Sequence, residues 1–479
     1  MQICLELPVG MNLLTLNFEF SEQSNSQNIT MKNNLDPVIL KAPSSKSMSH
    51  RALLVAGLAD GLSRLENILF SDDLSHTRMC LQAIGAEIFE SGPDLMVRGV
   101  GGKISAAPGQ KVLLDVGESG TTCRLVAAIV AGGKGEFEII GRGRMHQRPV
   151  KSLDTALSPQ GVGFKYSGLD GCPPLVISSQ GLPGGEISIS LDDSSQYLSG
   201  ILLASTMAGD EVVINITGQK VVSWPYVNLT LQVMEEFGCI PEIQFFENSQ
   251  WKSVRPSQIR QVEPGKLRFL VRPMIFPARD YHVEGDFSNA SYLLASGALG
   301  HRPVLVQGLN PDSRQGDKAI LDILEKMGAV IEKNDQGILV QKRELRGIEM
   351  DMGACPDLVP TVAVLASMAS GITRISNVAH LKIKESDRLK GVYNEISRIG
   401  CRCELLDDGL IINPARAHGA MKIEFSTYND HRMAMSLSLY ELAGIKAVLD
   451  NPGCVNKSFP GFWDEWEKVR RANNVSEIR

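Results

Sequence analysis

The sequence predicts an α/β fold of two lobes, each assembled from three copies of one unit around buried helices. Three observations predict it. Ala/Leu-rich segments of helix length recur six times, each followed by a Gly and a short β-like run. A second, amphipathic helical pattern closes five of the units at Gly85, Gly161, Gly238, Gly328 and Gly400. At 479 residues the chain also exceeds what one core organises, since single cores stop growing near about 250–300 residues.

The buried segments are Ser49–Leu58, Thr121–Ala131, Gln196–Met207, Ala290–Leu299, Leu358–Met368 and Arg432–Leu442. They are apolar nearly all round, which marks interior helices. Ser49, Thr121, Ser195, Asn289 and Asp357 stand at or just before five starts, and Asn429-Asp430 precedes the sixth. Such side chains cap helix N-termini. The β-like runs that follow are Leu65–Leu69, Phe137–Ile140, Val212–Ile216, Val304–Val306, Ile372–Ile375 and Ala447–Leu449. The closing glycines are 76, 77, 90 and 72 residues apart, and Gly takes the left-handed conformation that stops a helix. The longest interval contains the polar, weakly patterned stretch Gln244–Arg272. It marks the handover between two triplets, near residue 284.

Composition narrows the function classes. Hydrophobic residues are 43% and charged residues 21%, which excludes collagen, coiled coil and whole-chain disorder. The net charge of −6 disfavours a nucleic-acid or anionic-membrane binder. The least polar run, Leu358–Ile372, contains Pro360, Thr361 and Ser367 and is too short to span a bilayer. Nine scattered cysteines without a CxxC pair point to a reducing, cytoplasmic setting and to no metal site. Residues 1–35 lack a helical period and a signal-peptide pattern, so a disordered extension, or a true start at Met31, is expected there.

The chemistry suggested is anion binding. A buried helix N-terminus presents free N–H groups and partial positive charge, and cations sit beside several of these ends: Lys46 and Arg51 at the first, Arg124 at the second, Arg432 at the sixth. Arg142, Arg144 and Arg148 crowd one loop, Lys384 and Arg388 another, and Lys457 lies in a third. Arg favours bidentate phosphate and carboxylate contacts, whereas Lys is a point charge that can also pass a proton. The Gly-rich runs at 132–135 and 141–143 fit neither nucleotide motif. Asp357 and Glu385 are the acid–base candidates, with Asp357 equally readable as a cap. Asp72-Asp73 and Asp192-Asp193 read as turn or cap residues, and His431 and Tyr226 as cleft or packing residues.

Nine segments carry a family resemblance: SKSMSHRALL at Ser45, GESGTTCRL at Gly117, RMHQRPV at Arg144, SSQYLSGILLA at Ser194, SWPYVNLTL at Ser223, GDFSNASY at Gly285, KIKESDRL at Lys382, YNDHRMAM at Tyr428 and NKSFPGFW at Asn456. In this order and spacing, across residues 37–465, the chain resembles the 5-enolpyruvylshikimate-3-phosphate synthases. The resemblance implies two lobes of three βαβαββ units each, with the active site in the interlobe cleft. It implies one lobe over 45–284 and a discontinuous lobe over 36–44 plus 285–479. It further implies transfer of the enolpyruvyl group of phosphoenolpyruvate to the 5-hydroxyl of shikimate 3-phosphate through a tetrahedral intermediate, with no cofactor, by a monomer.

Matched by motif, Lys46, Ser47, Arg51, Ser194, Ser195, Gln196, Ser223, Tyr226, Asp357 and Lys384 are expected at shikimate 3-phosphate. Lys46, Gly120, Arg148, Gln196, Arg388, Arg432 and Lys457 are expected at phosphoenolpyruvate. Glu385, Asp357 and Lys46 are the expected catalytic groups. Glu118 stands where many relatives carry Asn, Leu125 where Pro is common and His380 where Asn is frequent; the retained Gly120 implies sensitivity to glyphosate. Two alternatives are weighed. The sister transferase acting on UDP-N-acetylglucosamine uses a loop Cys where this chain has Gly143, and a non-catalytic anion-binding repeat protein would not need Asp357 and Glu385.

Overall fold

The structure, a computed structural model, describes residues 35–255, 259, 262–414 and 421–475. Apart from Leu35, the expectations for the N-terminal extension lie outside these residues. Twelve α-helices alternate between buried and amphipathic along the described chain: α1 (Lys46–Leu58), α2 (Asp72–Ala83), α3 (Gly120–Ala131), α4 (Lys151–Leu157), α5 (Gln196–Ser205), α6 (Trp224–Glu236), α7 (Phe287–Leu299), α8 (Ile320–Met327), α9 (Val359–Ser367), α10 (Arg388–Arg398), α11 (His431–Leu437) and α12 (Phe462–Ala472). The odd-numbered helices are the predicted interior ones; every residue of α7 is buried. The even-numbered ones show one apolar stripe, as in α8, where Ile320, Leu321, Ile323, Leu324 and Met327 face inward.

Six sheets accompany the helices. Each contains a parallel pair, such as Lys111–Asp115 beside Lys134–Ile140, and in five an antiparallel strand extends it. The sixth, among the described residues, is only Met421–Phe425 beside Ile445–Leu449. The closing glycines all have positive φ, from +81° at Gly238 to +109° at Gly328, as the stop signal requires. The first β-like run starts earlier than expected, at Leu62–Glu66, because Gly61 (φ +108°) turns the chain straight out of α1 and Asn67 (φ +51°) ends the strand.

Two cores form. One gathers apolar side chains from Met48 to Val283; the other gathers Leu40, Ala42 and those from Phe287 to Val469. The chain passes between them twice. Strand Val38–Lys41 pairs with Val304–Gln307, although α1 packs in the other core. Strand Asp280–His282 pairs with Leu62–Glu66, although α7 packs in the second core. The passing segments hold each other: Ser45 N–H donates to the Glu284 carbonyl and Asp286 N–H to the Pro43 carbonyl, both at 2.8 Å. Gly285 is required here, since a Cβ on it would lie 2.2 Å from the Gly308 carbonyl oxygen.

Three helix caps lie two to four residues upstream of the expected ones. Ser45, Ser119 and Asp286 accept from the N–H groups of Met48, Thr122 and Asn289, in place of Ser49, Thr121 and Asn289. The apolar run understates these helices because their first turns are polar. Asp357 is no cap either; it sits in the 3-10 turn Pro356–Leu358 ahead of α9, and its carboxylate points elsewhere.

Candidate active site

One cavity is lined by Lys46, Ser47, Arg51, Thr121, Arg148, Asp193, Ser194, Ser195, Gln196, Ser223 and Tyr226 from the first core's elements. Asp357, Lys384, Glu385, Arg388, His431 and Arg432 line it from the second. The helix starts explain the gathering. Lys46 and Ser47 open α1, Thr121 opens α3, Ser194–Gln196 open α5, Ser223 and Tyr226 open α6, Arg388 opens α10 and Arg432 opens α11. Of the residues expected at a ligand, only Gly120 and Lys457 stand outside this lining. Gly120 lies against it, since a Cβ there would come within 2.2 Å of Arg148 Nη2. Lys457 lines an adjoining cavity with Asp72, Asp73, His76, Glu118, Arg142 and Asn429. Arg144 lines neither.

The N-terminal poles do not all contribute as expected. In the first core the residues at the caps are neutral serines, which leaves the positive ends of α3 and α5 available to an anion, whereas the first N–H of α1, that of Lys46, already donates to a carboxylate of the second core. In the second core carboxylates occupy the ends of α7 and α11. Asp286 caps α7 and also accepts from Lys46 N–H at 2.8 Å. Asp430 caps α11 through Arg432 N–H at 3.0 Å and also binds Arg388. On that side the positive field comes from side chains.

Arg388 is the hub of that side. Its Nε and Nη2 donate to Asp430 at 2.9 and 3.2 Å, Nη1 to Asp357 at 2.9 Å and Nη2 to Glu385 at 2.9 Å. Arg432 Nη2 donates to Asp357 Oδ2 at 2.8 Å, and its buried Nη1 has no hydrogen-bond partner among the described residues. Burial raises the Asp357 carboxyl, but Arg432, Lys384 and Arg388 outweigh it and hold the group well below the carboxylate range. Glu385 is balanced the same way: burial raises it, and Arg148, Arg388 and Lys457 bring it well below its ordinary value. Burial lowers Lys384 against the attraction of Asp357 and Glu385.

On the facing wall, Arg51 is buried and donates to Thr230 Oγ1 (2.7 Å) and to the carbonyls of Ser47 (2.8 Å) and Tyr226 (2.9 Å). Burial brings it down to about 10. Gln196 is fixed between Arg124 Nη1 (2.9 Å) and Thr121 Oγ1 (3.0 Å). Arg148 donates to the Glu118 carbonyl at 3.2 Å and faces Glu385 at 3.7 Å, while its buried Nε has no hydrogen-bond partner among the described residues. Unfilled donors on Arg148 and Arg432 are what an incoming phosphate or carboxylate would satisfy.

Sequence reading missed several groups. Asp73 is no mere turn residue: it is buried and pairs with Lys46 at 2.5 Å. Asp193, of the second turn-like pair, lines the cavity, as does Thr121. Asp317 was not singled out at all, and Asp430 was read only as the cap of the sixth buried helix, which it is, and not as a partner of Arg388. Tyr226 OH lies 3.1 Å from Asp317 and 3.0 Å from Asp357. Both aspartates sit among short polar runs that look like loop sequence; the signal for Asp430 was its place before Arg432, and Asp317 had none. His431 lines the cavity with both ring nitrogens lacking a hydrogen-bond partner among the described residues, and burial first, then Lys46 and Arg432, keeps it neutral.

The profile of the family described as EPSP synthase (3-phosphoshikimate 1-carboxyvinyltransferase) matches residues 30–466. A protein named 3-phosphoshikimate 1-carboxyvinyltransferase from Vibrio atlanticus is 38% identical over 427 residues, 88% of this chain and 94% of that one. One of the same name from Shewanella denitrificans is 38% identical over 433 residues, 90% of this chain and 96% of its own. A solved EPSP synthase structure from Acinetobacter baumannii superposes with a TM-score of 0.69 at 24% identity, covering 91% of this chain and 95% of that one. The two-lobed enolpyruvyl transferase fold is therefore the fold of this chain.

Proposed function

The chain belongs to the EPSP synthase family, and from that premise we propose how its cleft residues divide the work of the reaction. The activity is that of 3-phosphoshikimate 1-carboxyvinyltransferase. The enolpyruvyl group of phosphoenolpyruvate passes to the 5-hydroxyl of shikimate 3-phosphate, and phosphate leaves.

Shikimate 3-phosphate lies against Lys46, Ser47, Arg51, Ser194, Ser195, Gln196, Ser223, Tyr226, Asp357 and Lys384. Phosphoenolpyruvate lies against Lys46, Gly120, Arg148, Gln196, Arg388, Arg432 and Lys457. Arg388 already gives most of its donors to Asp430, Asp357 and Glu385, so its weight falls on fixing the two catalytic carboxylates. The observation that carries this reading is the meeting, in one cavity, of cations from both cores around Asp357 and Glu385.

In the addition step the 5-hydroxyl oxygen attacks C2 of phosphoenolpyruvate. Its proton passes to Asp357 with Lys46 alongside, while C3 takes a proton from Glu385. In the elimination step the bond from C2 to the phosphate oxygen breaks, Glu385 recovers a proton from the methyl group, and the proton on Asp357 leaves with phosphate. The cations stabilise the charge that develops on the leaving group. Donation requires a protonated Glu385, whereas Arg148, Arg388 and Lys457 favour its carboxylate. Bound phosphoenolpyruvate resolves this, because its negative charges occupy Arg148, Arg388 and Lys457 and so release Glu385 to take up a proton.

We also propose 45–284 and 36–44 plus 285–479 as the two lobes, a monomer, and a cytoplasmic setting. The two separate cores support the first, and buried thiols such as Cys80, Cys123, Cys172, Cys239 and Cys355, which form no disulfide among the described residues, support the last. Among the described residues no helix is long and apolar enough to cross a membrane. A phosphate-release assay with shikimate 3-phosphate, with UDP-N-acetylglucosamine and with no acceptor tests the assignment. Release only with the first is expected; release with the nucleotide sugar, or none, overturns it.

A further inference from the structure

Asp317 lies in the 3-10 turn Gly316–Ala319 ahead of α8, behind the wall that carries Tyr226, and no role above uses it. It is only 3% exposed. Its Oδ2 lies 3.1 Å from the Tyr226 hydroxyl and accepts from the Ser288 hydroxyl, and its buried Oδ1 has no partner among the described residues. The same Tyr226 oxygen lies 3.0 Å from Asp357 Oδ2.

A phenol has one proton to give. Tyr226 therefore donates to one carboxylate, and the other contact needs a hydrogen from the carboxyl side. Asp357 is the anion of the two, since Arg388 and Arg432 donate to its oxygens at 2.9 and 2.8 Å. Asp317 has no ion-pair partner among the described residues. An unpartnered buried oxygen is far cheaper as the carbonyl of an acid than as half of an anion.

We propose that Asp317 is a carboxylic acid in this arrangement and donates to Tyr226, which commits the phenol's single proton to Asp357. Asp317 is thus a positioning residue that acts on the acceptor wall through Tyr226. The groups that face it are Tyr226 on α6, Asp357 ahead of α9 with Cys355 beside it, Ser288 and the cap Asp286 on α7, and Arg432 on α11. Burial and then the Asp357 charge raise Asp317, to about 6, against the pull of Arg432 and the Ser288 hydrogen bond. As pH rises, Asp317 loses its proton, takes the Tyr226 proton for itself and places a second negative charge behind a wall that must receive an anionic acceptor.

This rests on the shikimate 3-phosphate reading, and the experiment separates the two. KM for shikimate 3-phosphate and kcat are measured from about pH 5 to about pH 8 for wild type, Asp317→Asn and Ser288→Ala. The amide of D317N donates to Tyr226 without a charge to titrate, and the acceptor's own phosphate titrates identically in every assay. The ratio of wild-type to D317N KM is expected to climb about tenfold across the interval, with kcat changed less than about threefold. S288A removes a donor that favours the anion, so its KM limb is expected to move to higher pH. A constant ratio, or an S288A limb that stays in place, overturns the proposal. Failure of the wild type to release phosphate with shikimate 3-phosphate overturns the underlying reading instead.

Discussion

Arg148 and Glu385 face each other at 3.7 Å, one from the loop before α4 and the other from the loop before α10, so that each core supplies one half of the pair. Both are almost fully shielded from solvent, and Glu385 also holds Arg388 at 2.9 Å. These cations keep Glu385 ionised. An anionic ligand between the walls competes for them directly.

Glu385→Gln keeps the shape and the hydrogen-bonding reach of the side chain but removes its proton chemistry. Turnover is expected to fall at least about a hundredfold while substrate binding persists. Steady-state kinetics paired with calorimetric binding measures both, and near-normal turnover removes Glu385 from the mechanism. The same calorimetry, run in buffers of different ionisation enthalpy, is expected to show proton uptake when phosphoenolpyruvate joins the shikimate 3-phosphate complex. Uptake should vanish in the Gln variant.

Gly120→Ala places a methyl group 2.2 Å from Arg148 Nη2 and 2.3 Å from Cζ. The guanidinium has little room to retreat, being buried between the Glu118 carbonyl and Glu385. KM for phosphoenolpyruvate is expected to rise at least about tenfold, with KM for shikimate 3-phosphate nearly unchanged. Equal changes in both would count against assigning Arg148 to phosphoenolpyruvate alone.

Glu118 lies 3.5 Å from Lys457 and 3.4 Å from Asn429. It therefore stands as an internal counter-ion on a lysine assigned to phosphoenolpyruvate. Glu118→Asn is expected to lower KM for phosphoenolpyruvate about threefold to tenfold, with a smaller change in kcat. A KM that rises instead would show that Glu118 positions Lys457 rather than competing for it.

His50 and His380 are buried and neutral, each lowered to about 3 by desolvation first and by Lys46 or Lys384 next. In the unfolded chain both titrate near 6.5, so their contribution is complete above that pH and is lost as pH falls toward the folded value. Each is expected to steepen the loss of stability below about pH 6.5 by about 1.4 kcal/mol per pH unit. Denaturant unfolding across this range measures the slope, and His380→Asn should flatten it by one such increment. An unchanged slope would mean that His380 charges in the folded state.

The sequence by itself determined the repeat: six all-round apolar helices, each with a strand behind it, and the glycines at positive φ that end five amphipathic helices. Those features rest on short-range physics, namely period, capping chemistry and the freedom of Gly. It also marked most of the cations, because basic residues beside capped helix starts stand out in an acidic chain. Tertiary structure alone decided which of those ends stay open to an anion. Ser119 and Ser195 leave theirs available, whereas Asp286 fills the end of α7 and takes the first N–H of α1 as well, and Asp430 fills the end of α11 and turns to Arg388, both across long sequence separations. It also decided that Asp73 pairs with Lys46, that Asp357 binds two arginines instead of capping α9, and that Tyr226 has two carboxylates competing for one proton. Each of these depends on which charges burial brings together, and burial is set by the packing of both cores and the two crossings between them.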